Sequence, residues 1–374
     1  MAEKITLSLI KADIGSVCGH HVVHPKQIEL AKKLLESSKK KGKIIDYYVF
    51  NCGDDLELLF THREGENNPK IHEMAWNVFK EVTEKVSKKL KLYAAGQDLL
   101  VETFSGNVKG MGPGVAEMEI EERPSESIVV FAADKTEPGA WNLPLYKIFA
   151  DPSNTAGLIL SEDMSYGFTF RVLDVIEGKY IDLNCPEDIY NLISLIGTTG
   201  RFVVERVFRR KDKMLAAVAS TTRLRIIAHR YTGKDDPVLM IRLQHQFPAL
   251  GEVLSAFVPA YLVSGAMRGS HRLPLLPVSL KDAKCSYWDG PPRCVALGFN
   301  LCEGKIVGKG DEPADLFDDP AFDYARLKAM EISQYIRQHG EFEPARLPEE
   351  DLEYLGISKI REKLKERWVK LKEQ

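Results

Sequence analysis

The sequence lacks the features that would assign it at once to a specialised class of protein. It has only six cysteines in 374 residues, and they are scattered, so that no CxxC pair of the zinc-ribbon type occurs. Basic and acidic residues nearly balance, 51 against 54, and the net charge of -3 argues against a protein that neutralises many nucleic-acid phosphates. We interpret the cysteines, at positions 18, 52, 185, 285, 294 and 302, as small buried residues in a reducing compartment.

Long apolar runs are also absent. The longest stretches, such as residues 128–133, fall far short of the roughly 18 residues that span a bilayer. Residues 1–5 do not have the charged, apolar and cleavage regions of a signal peptide. We therefore expect a cytoplasmic protein with no membrane partner and no nucleic-acid partner.

The composition that remains is that of a folded protein, 44% hydrophobic and 28% charged. A chain of this length buries roughly three quarters of its unfolded surface, enough for a large core. No linker of biased composition and no short repeat interrupts it. We expect a single intertwined α/β domain over residues 1–374, with antiparallel or mixed sheets.

Apolar periodicity places the main elements along the chain. The pattern predicts a helix from about Pro25 that stops at Gly42, and a long amphipathic helix from Pro69 to Leu90. A further amphipathic helix is predicted at about 357–372. Strands are predicted at 5–12, 44–50, 127–133, around 172, and at 202–207, 214–219 and 224–230.

Aspartates follow four of the apolar, strand-like runs. They are Asp13, the pair Asp54 and Asp55, Asp134, and the pair Asp235 and Asp236. A single aspartate at such a place is usually a turn or cap residue. Six carboxylates at one rim, however, would repel one another unless cations neutralised them, and hard oxygen ligands favour Mg²⁺. The pattern predicts a multi-metal phosphoryl-transfer site, with His20 and Gln97 as further candidate ligands.

Lys234 and Tyr231 do not fit a simple phosphatase. A lysine beside two aspartates is most often their ion-pair partner. It is also a candidate amine nucleophile that forms a Schiff base with a ketone, with Tyr231 transferring protons. Lys135 and Arg268 are candidates for phosphate contacts or, equally, for surface ion pairs. The glycine-rich loop 105–114 lacks the P-loop pattern but can present backbone N–H groups to a phosphate.

Several long segments together resemble a known family. They are KADIGSVCGHHVVHP, NCGDDLELLFTH, AAGQDLL, FSGNVKGMGPGVAEMEIEERPSE, FAADKTEPGAWN, YTGKDDPVLMIRLQHQFPALGE and AMRGSH. They are similar to the archaeal-type bifunctional fructose-1,6-bisphosphate aldolase/phosphatases, and the similarity extends from residue 5 to about residue 350. Departures are few: Cys18, His21 and the pair Arg272-Leu273 differ from the usual family residues.

The resemblance implies a fold, an activity and a set of site residues. The fold is a layered α-β-β-α sandwich, assembled as a homo-octamer. The reaction condenses dihydroxyacetone phosphate with glyceraldehyde 3-phosphate and then removes the C1 phosphate of fructose 1,6-bisphosphate. Lys234 is the implied Schiff-base lysine and Tyr231 the implied proton carrier. The implied ligands of several Mg²⁺ ions are Asp13, His20, Asp54, Asp55, Gln97, Asp134, Asp235 and Asp236. The implied sugar-phosphate contacts, beside His20 and Asp134, are Tyr93, Gly106, Asn107, Lys135, Gln244, His245, Arg268, Asp289 and Tyr354.

Two other functions are compatible with the residues alone. A Mg²⁺-dependent fructose-1,6-bisphosphatase without aldolase activity would use the same carboxylates, and Lys234 would only bind phosphate or pair with Asp235. A phosphosugar-binding or structural metal protein would have no chemical need for so many carboxylates. Phosphate release from fructose 1,6-bisphosphate with Mg²⁺ separates the enzymes from the binding protein.

Overall fold

A computed structural model describes residues 4–96, 99, 114–220, 236–263, 271–285, 291–340 and 356–368. The strands within these ranges are β1 (Lys4–Asp13), β2 (Asp46–Cys52), β3 (Asp55–His62), β4 (Gly114–Glu121), β5 (Glu126–Asp134), β6 (Phe168–Asp174), β7 (Lys179–Cys185), β8 (Phe202–Arg209), β9 (Leu215–Ala219), β10 (Val238–Leu243), β11 (Leu262–Val263), β12 (Leu273–Pro274), β13 (Leu276–Pro277), β14 (Arg293–Cys302), β15 (Lys305–Val307) and β16 (Ala314–Asp315).

The helices connect and cover these strands. The α-helices are α1 (Pro25–Lys40), α2 (Pro69–Val82), α3 (Asn142–Ala150), α4 (Gly157–Leu160), α5 (Ile189–Ile196), α6 (Leu250–Ser255), α7 (Asp323–His339) and α8 (Gly356–Leu364). A π-helical turn, Thr83–Ser87, extends α2, and 3₁₀ turns cover Pro138–Trp141, Leu280–Asp282, Pro320–Phe322 and Lys365–Arg367.

Two sheets form the centre of the molecule. The first has the order β2-β3-β1-β4 and is antiparallel throughout. The second has the order β13-β14-β5-β10-β9-β8-β6-β7, with β15 and β16 paired to β14. Its pairs are antiparallel except the short β13–β14 pair. The expectation of antiparallel or mixed sheets is therefore confirmed.

Three apolar clusters show how the layers stack. The first lies between α1, α2 and one face of the first sheet, where Ala31 and Phe79 meet Leu58. The second lies between the two sheets and includes Leu9 of β1 and Val130 of β5. The third covers the other face of the second sheet with α3, α5 and α6. The layers are thus helix, sheet, sheet and helix, as the family resemblance implied.

The helix ends follow local sequence. Pro25 starts α1, and the side chain of His24 accepts a hydrogen bond from the backbone N–H of Lys26. Asn68 caps α2 in the same way before Pro69. The predicted helix from Pro69 to about residue 90 is confirmed as α2 together with its π-helical turn.

Some strands match the periodicity and others were not predicted. Strands at 5–12, 44–50, 127–133, 202–207 and 214–219 are confirmed within one or two residues as β1, β2, β5, β8 and β9. The strand at 224–230 lies outside the described residues. The segment around 172 is confirmed as β6. β3 and β4 were not predicted, because charged residues such as Glu57 and Glu117 interrupt their apolar pattern although both are buried. β7, β10 and β14 were not predicted either. None of the helices in the described part of the chain is both long and apolar enough to cross a bilayer.

Phe131 tests the packing of the third cluster. Its ring stacks on Phe257, with centroids 4.6 Å apart, and contacts Trp141 and Phe317. Because the ring is fully buried, we expect Phe131→Ala to lower the free energy of unfolding by about 3–5 kcal/mol. Urea unfolding measures this loss. Tyr190→Ala, at a position that is 80% exposed, is the control and should change stability by less than about 0.5 kcal/mol. Equal losses in the two variants would contradict the packing described.

Candidate active site

The faces of the two sheets that meet in the middle change from apolar to polar at one end. On β1, Leu7 and Leu9 belong to the central cluster, but Lys11 and Asp13, which continue the same face, do not. On β3, Leu59 belongs to it, and the two preceding residues of that face are Glu57 and Asp55. The register pairs Asp13 with Asp55 and Lys11 with Glu57, so that these four side chains lie together.

The second sheet repeats the change at the same end. Ile128, Val130 and Ala132 of β5 lie in the central cluster, and the next residue on that face is Asp134. Arg293, the first residue of β14, is opposite Asp134 in register.

Asp236 lies just before β10, whose first residue pairs with Ala132. Two of the predicted aspartates, Asp13 and Asp134, end strands as expected. Asp54 and Asp55 follow β2 as expected, and Asp55 is also the first residue of β3. The run expected before Asp236 lies outside the described residues, and Asp236 precedes β10. Antiparallel pairing brings Asp13 and Asp55 together, because it places the end of one strand beside the start of the next.

The first carboxylate group contains Asp13, Asp54 and His20. The Nδ1 atom of His20 lies 2.6 Å from Asp54 Oδ2 and 3.5 Å from Asp13 Oδ2. Asp13 Oδ1 accepts a hydrogen bond from the backbone N–H of Gly15. Gly15 has a φ of +103° and lies so close to residue 95 that an added Cβ would be 2.8 Å from Ala95 Cα. The turn after β1 therefore requires glycine there.

The second group joins the two sheets. The ammonium of Lys135 lies 2.6 Å from Asp54 Oδ1 and 3.1 Å from Asp134 Oδ1. The thiol of Cys285 donates to Asp134 Oδ2 at 3.3 Å. Gly53 makes this approach possible, because a Cβ at that position would lie 2.2 Å from Asp134 Cγ.

The third group contains Asp55, Asp134 and Asp236. Asp236 Oδ1 accepts hydrogen bonds from the backbone N–H groups of Lys135 and Thr136. The ammonium of Lys11 lies 2.7 Å from Asp55 Oδ2 and 3.5 Å from Asp236 Oδ2. The carboxylates of the two sheets are thus held on a frame of backbone and side-chain donors.

The three groups fit divalent cations. In each, three candidate ligand atoms lie within 4.8 Å of one another: Asp13, His20 and Asp54; Asp54, Asp134 and Cys285; and Asp55, Asp134 and Asp236. Carboxylate oxygens with one imidazole are the donor set of a hard cation. A metal cofactor therefore fits the residues that the structure brings together.

Burial and charge shift the pKa values of these groups. Burial raises the pKa of the Asp134 carboxyl to about 7, and the nearby Asp54 and Asp236 act in the same direction. Burial alone would lower the pKa of His20, but its hydrogen bonds to Asp13 and Asp54 outweigh it and raise that pKa to about 10. For Asp54, Lys135 and His20 outweigh burial and hold the pKa well below its usual range. A cation that binds Asp134 and His20 near neutral pH must therefore displace protons from them.

Of the implied substrate contacts, Tyr93 lies beside the carboxylates, whereas Gln244 and His245 lie at the other end of β10. Tyr93 lies at the site: its ring packs edge-on against His20, with centroids 4.8 Å apart, and its backbone pairs with Ser16. Gln244 and His245 follow the last residue of β10, whereas Asp236 precedes its first. A strand of six residues spans roughly 20 Å, so that one copy of the chain does not bring Gln244 and His245 to the carboxylates.

The other predicted site residues lie outside the described residues. They are Gln97, Gly106, Asn107, Tyr231, Lys234, Asp235, Arg268, Asp289 and Tyr354. The sequence patterns did not identify Lys11, Glu57, Cys285 or Arg293 as site residues. Lys11 lies two residues before Asp13, and Glu57 lies two residues after Asp55. Because residues two apart share a strand face, this spacing could have identified both.

Glu57 is a fully buried carboxyl behind the ligands. None of the described residues hydrogen-bonds to either of its oxygens. Burial raises its pKa from 4.5 to about 8, although Lys11 acts in the opposite direction. Between these two pH values the unfolded chain releases the Glu57 proton and the folded protein keeps it, so that stability falls as pH rises.

Glu57→Gln removes this titration. In metal-free protein we expect the variant to gain stability relative to the wild type as pH rises from 5 to 8, by up to about 1.4 kcal/mol per pH unit. Melting temperatures in EDTA at several pH values measure the difference. Glu73→Gln, at an exposed helix position, is the control and should show no such trend. A difference between Glu57→Gln and wild type that does not change with pH would contradict the prediction.

Known proteins match almost the whole chain. The family model described as fructose-1,6-bisphosphatase matches residues 4–369. The relative from Metallosphaera sedula is 58% identical over 365 residues, which cover 98% of this chain and 94% of the relative. The relative from Moorella thermoacetica is 54% identical over 371 residues, covering 99% and 96%. The relative from Thermococcus kodakarensis is 53% identical over 374 residues, covering 98% of each chain. All three are named fructose-1,6-bisphosphate aldolase/phosphatase, and the chain belongs to the fructose-1,6-bisphosphatase family.

Proposed function

We propose that this protein is a bifunctional gluconeogenic enzyme. It condenses dihydroxyacetone phosphate with glyceraldehyde 3-phosphate to fructose 1,6-bisphosphate, and it then hydrolyses the C1 phosphate to give fructose 6-phosphate. The observation that carries the proposal is the meeting of carboxylates from both sheets around the ammonium of Lys135. The names of relatives that are 53–58% identical support it.

The cofactor of this enzyme is Mg²⁺, with several ions per site. Asp13, His20, Asp54, Asp55, Asp134 and Asp236 would hold them, together with the predicted ligands Gln97 and Asp235. When bound, Mg²⁺ polarises the phosphate and supplies an activated water. Among the chain's own groups, Lys135 is placed to pair with the phosphate, because its side chain is partly exposed and its ammonium already lies between two site carboxylates.

Lys234 carries the aldol chemistry in this proposal. Its amine adds to the ketone of dihydroxyacetone phosphate, and loss of water leaves a Schiff base. Lys234 lies two residues before Asp236 in the sequence, and Asp236 belongs to the carboxylate cluster. Tyr231 takes a proton from C3 of dihydroxyacetone phosphate and later returns a proton to the C4 oxygen that derives from the aldehyde. Its ordinary pKa near 10 requires a nearby positive charge, which Lys234 or a bound cation provides.

The enzyme is a homo-oligomer in this proposal, and we expect an octamer. Gln244 and His245 support more than one copy per site, because the same chain does not bring them to its own carboxylates. They would contact the sugar phosphate of another copy. Arg268, Asp289, Gly106, Asn107 and Tyr354 remain predicted substrate contacts.

We also propose that residues 1–374 form one domain and that the enzyme works in the cytoplasm. Both sheets contribute to the central cluster and to the carboxylates, which supports one domain. The six cysteines are all unpaired, which fits a reducing compartment. Four of them are buried as interpreted from the sequence, but Cys18 and Cys302 are exposed.

Lys234→Ala tests the two activities against each other. We expect it to abolish aldol condensation and cleavage, because it removes the covalent nucleophile. Phosphate release from fructose 1,6-bisphosphate should persist in part, since water and not the amine attacks phosphorus. Asp54→Asn is the reciprocal variant and should abolish phosphate release, because it removes a cation ligand. Coupled assays of each activity measure both.

Lys211→Ala, which removes an exposed lysine from the turn before β9, is the control for loss of an amine and should keep both activities. Normal aldol turnover in Lys234→Ala would contradict the Schiff-base assignment. Absence of aldolase activity from the wild type would instead indicate a phosphatase alone.

Tyr231→Phe tests proton transfer. The change keeps the ring and removes only the hydroxyl, so that the aldol rate should fall by roughly 10²–10⁴-fold. Schiff-base formation should persist, because the amine of Lys234 is unchanged. The measurement pairs borohydride trapping with dihydroxyacetone phosphate and the aldolase rate of the same variant. An unchanged rate would exclude Tyr231 as the proton carrier, and loss of trapping would show that it positions the lysine.

A further inference from the structure

Lys11 is a cation built into the interior behind the metal ligands. Its side chain is fully buried, and its ammonium contacts Asp55 of the first sheet at 2.7 Å and Asp236 of the second at 3.5 Å. Its stem lies against Gly114, the residue opposite it on β4, where an added Cβ would be 3.3 Å from Lys11 Cγ. Gly114 thus leaves room for a long, charged side chain at the point where this face changes from the apolar Leu9 to Asp13.

Lys11 differs from Lys135, the other lysine that the described residues bring to the cluster. The side chain of Lys135 is 16% exposed, so that part of it is open to solvent. Lys11 is 0% exposed, and β1, β3 and β4 enclose it. Its charge therefore acts on the reaction through the carboxylates that it contacts, Asp55 and Asp236 among them.

We propose that Lys11 is a positioning residue of the active site, which holds Asp55 and Asp236 as a pair across the two sheets and contributes one fixed positive charge to the cluster. The proposal rests on the proposed function in so far as these two aspartates are Mg²⁺ ligands. The fixed charge has two opposite effects. It orients the two carboxylates, and it repels the divalent cations that they bind.

The repulsion predicts in which direction Mg²⁺ affinity changes when the charge of Lys11 is removed. A cation bound to Asp55 lies within roughly 5 Å of the ammonium, because ammonium and cation contact the same carboxylate. At that separation, repulsion between a single and a double charge lowers the affinity for the cation by more than about 10-fold, even at the dielectric constant of water. Removing the charge should therefore tighten Mg²⁺ binding while it loosens the geometry that turnover needs.

Lys11→Met tests the proposal, because methionine keeps an unbranched stem and removes the charge. We expect Mg²⁺ to bind the metal-stripped variant at least ~10-fold more tightly than it binds the wild type, by titration calorimetry at pH 8 with Mg²⁺ alone. Phosphate release at saturating Mg²⁺ should fall at least ~10-fold, as expected for misplaced ligands. A merely structural lysine would not give tighter metal binding together with slower turnover.

Lys4→Met is the matched control. It makes the same change on the same strand at an exposed lysine that pairs with Glu119, outside the cluster, and it should alter neither quantity. Weaker or unchanged Mg²⁺ binding by Lys11→Met, or unchanged turnover, would overturn the proposal. Because the titration uses Mg²⁺ alone, it gives an answer even if the wild type lacked one of the two activities.

A second variant covers the case in which Lys11→Met does not fold. Lys11→Gln is also neutral but can still donate a hydrogen bond to Asp55. Its melting temperature should fall more in EDTA than in Mg²⁺, because bound metal replaces the missing charge. An equal fall under both conditions would show that Lys11 acts only on the fold.

Discussion

Repulsion between carboxylates is the constraint on which the site depends. Asp54, Asp55, Asp134 and Asp236 come from two sheets and meet in an interior where like charges repel strongly. The structure offsets this repulsion with ammonium groups in direct contact and with burial, which raises the pKa of Asp134 to about 7. Part of the negative charge is therefore offset by the chain's own groups, and a bound cation would offset the remainder.

The same two sheets supply the rigidity that such a site needs. The apolar residues between them form one continuous layer, and the polar cluster occupies its end, not a separate cavity. Each of the five described aspartates of the cluster therefore lies in a strand or within two residues of one. Asp134 follows Ala132 on the inner face of β5, and Asp13 lies four residues after Leu9 on that of β1. Loss of apolar packing in this layer would displace ligands directly, whereas the helices outside the sheets act at a greater distance.

The family resemblance implied the layers, and the local pattern selected most of the carboxylates that the structure brings together, but this prediction has limits with physical causes. Aspartates after apolar runs identified Asp13 and Asp134 from local pattern alone. Which carboxylates meet depends on strand order and register, which join residues far apart in the chain, such as Asp13 with Asp55. Glu57 was missed because a charged residue in a strand normally faces solvent, whereas here both faces of the first sheet are covered. Gln244 and His245 could not be placed relative to Asp236 without the length of β10.

A site that performs an aldol step and a phosphate hydrolysis needs positively charged side chains with different roles. A fixed cation keeps ligand geometry constant, and Lys11 has that character because it is enclosed by strands. A cation that pairs with substrate must be reachable, as Lys135 is at the edge of the cluster. In the proposed mechanism a third lysine, Lys234, two residues before Asp236 in the sequence, forms the Schiff base. Lys11 and Lys135 have the same intrinsic chemistry and differ through burial, which gives one a fixed internal charge and leaves the other partly open to solvent.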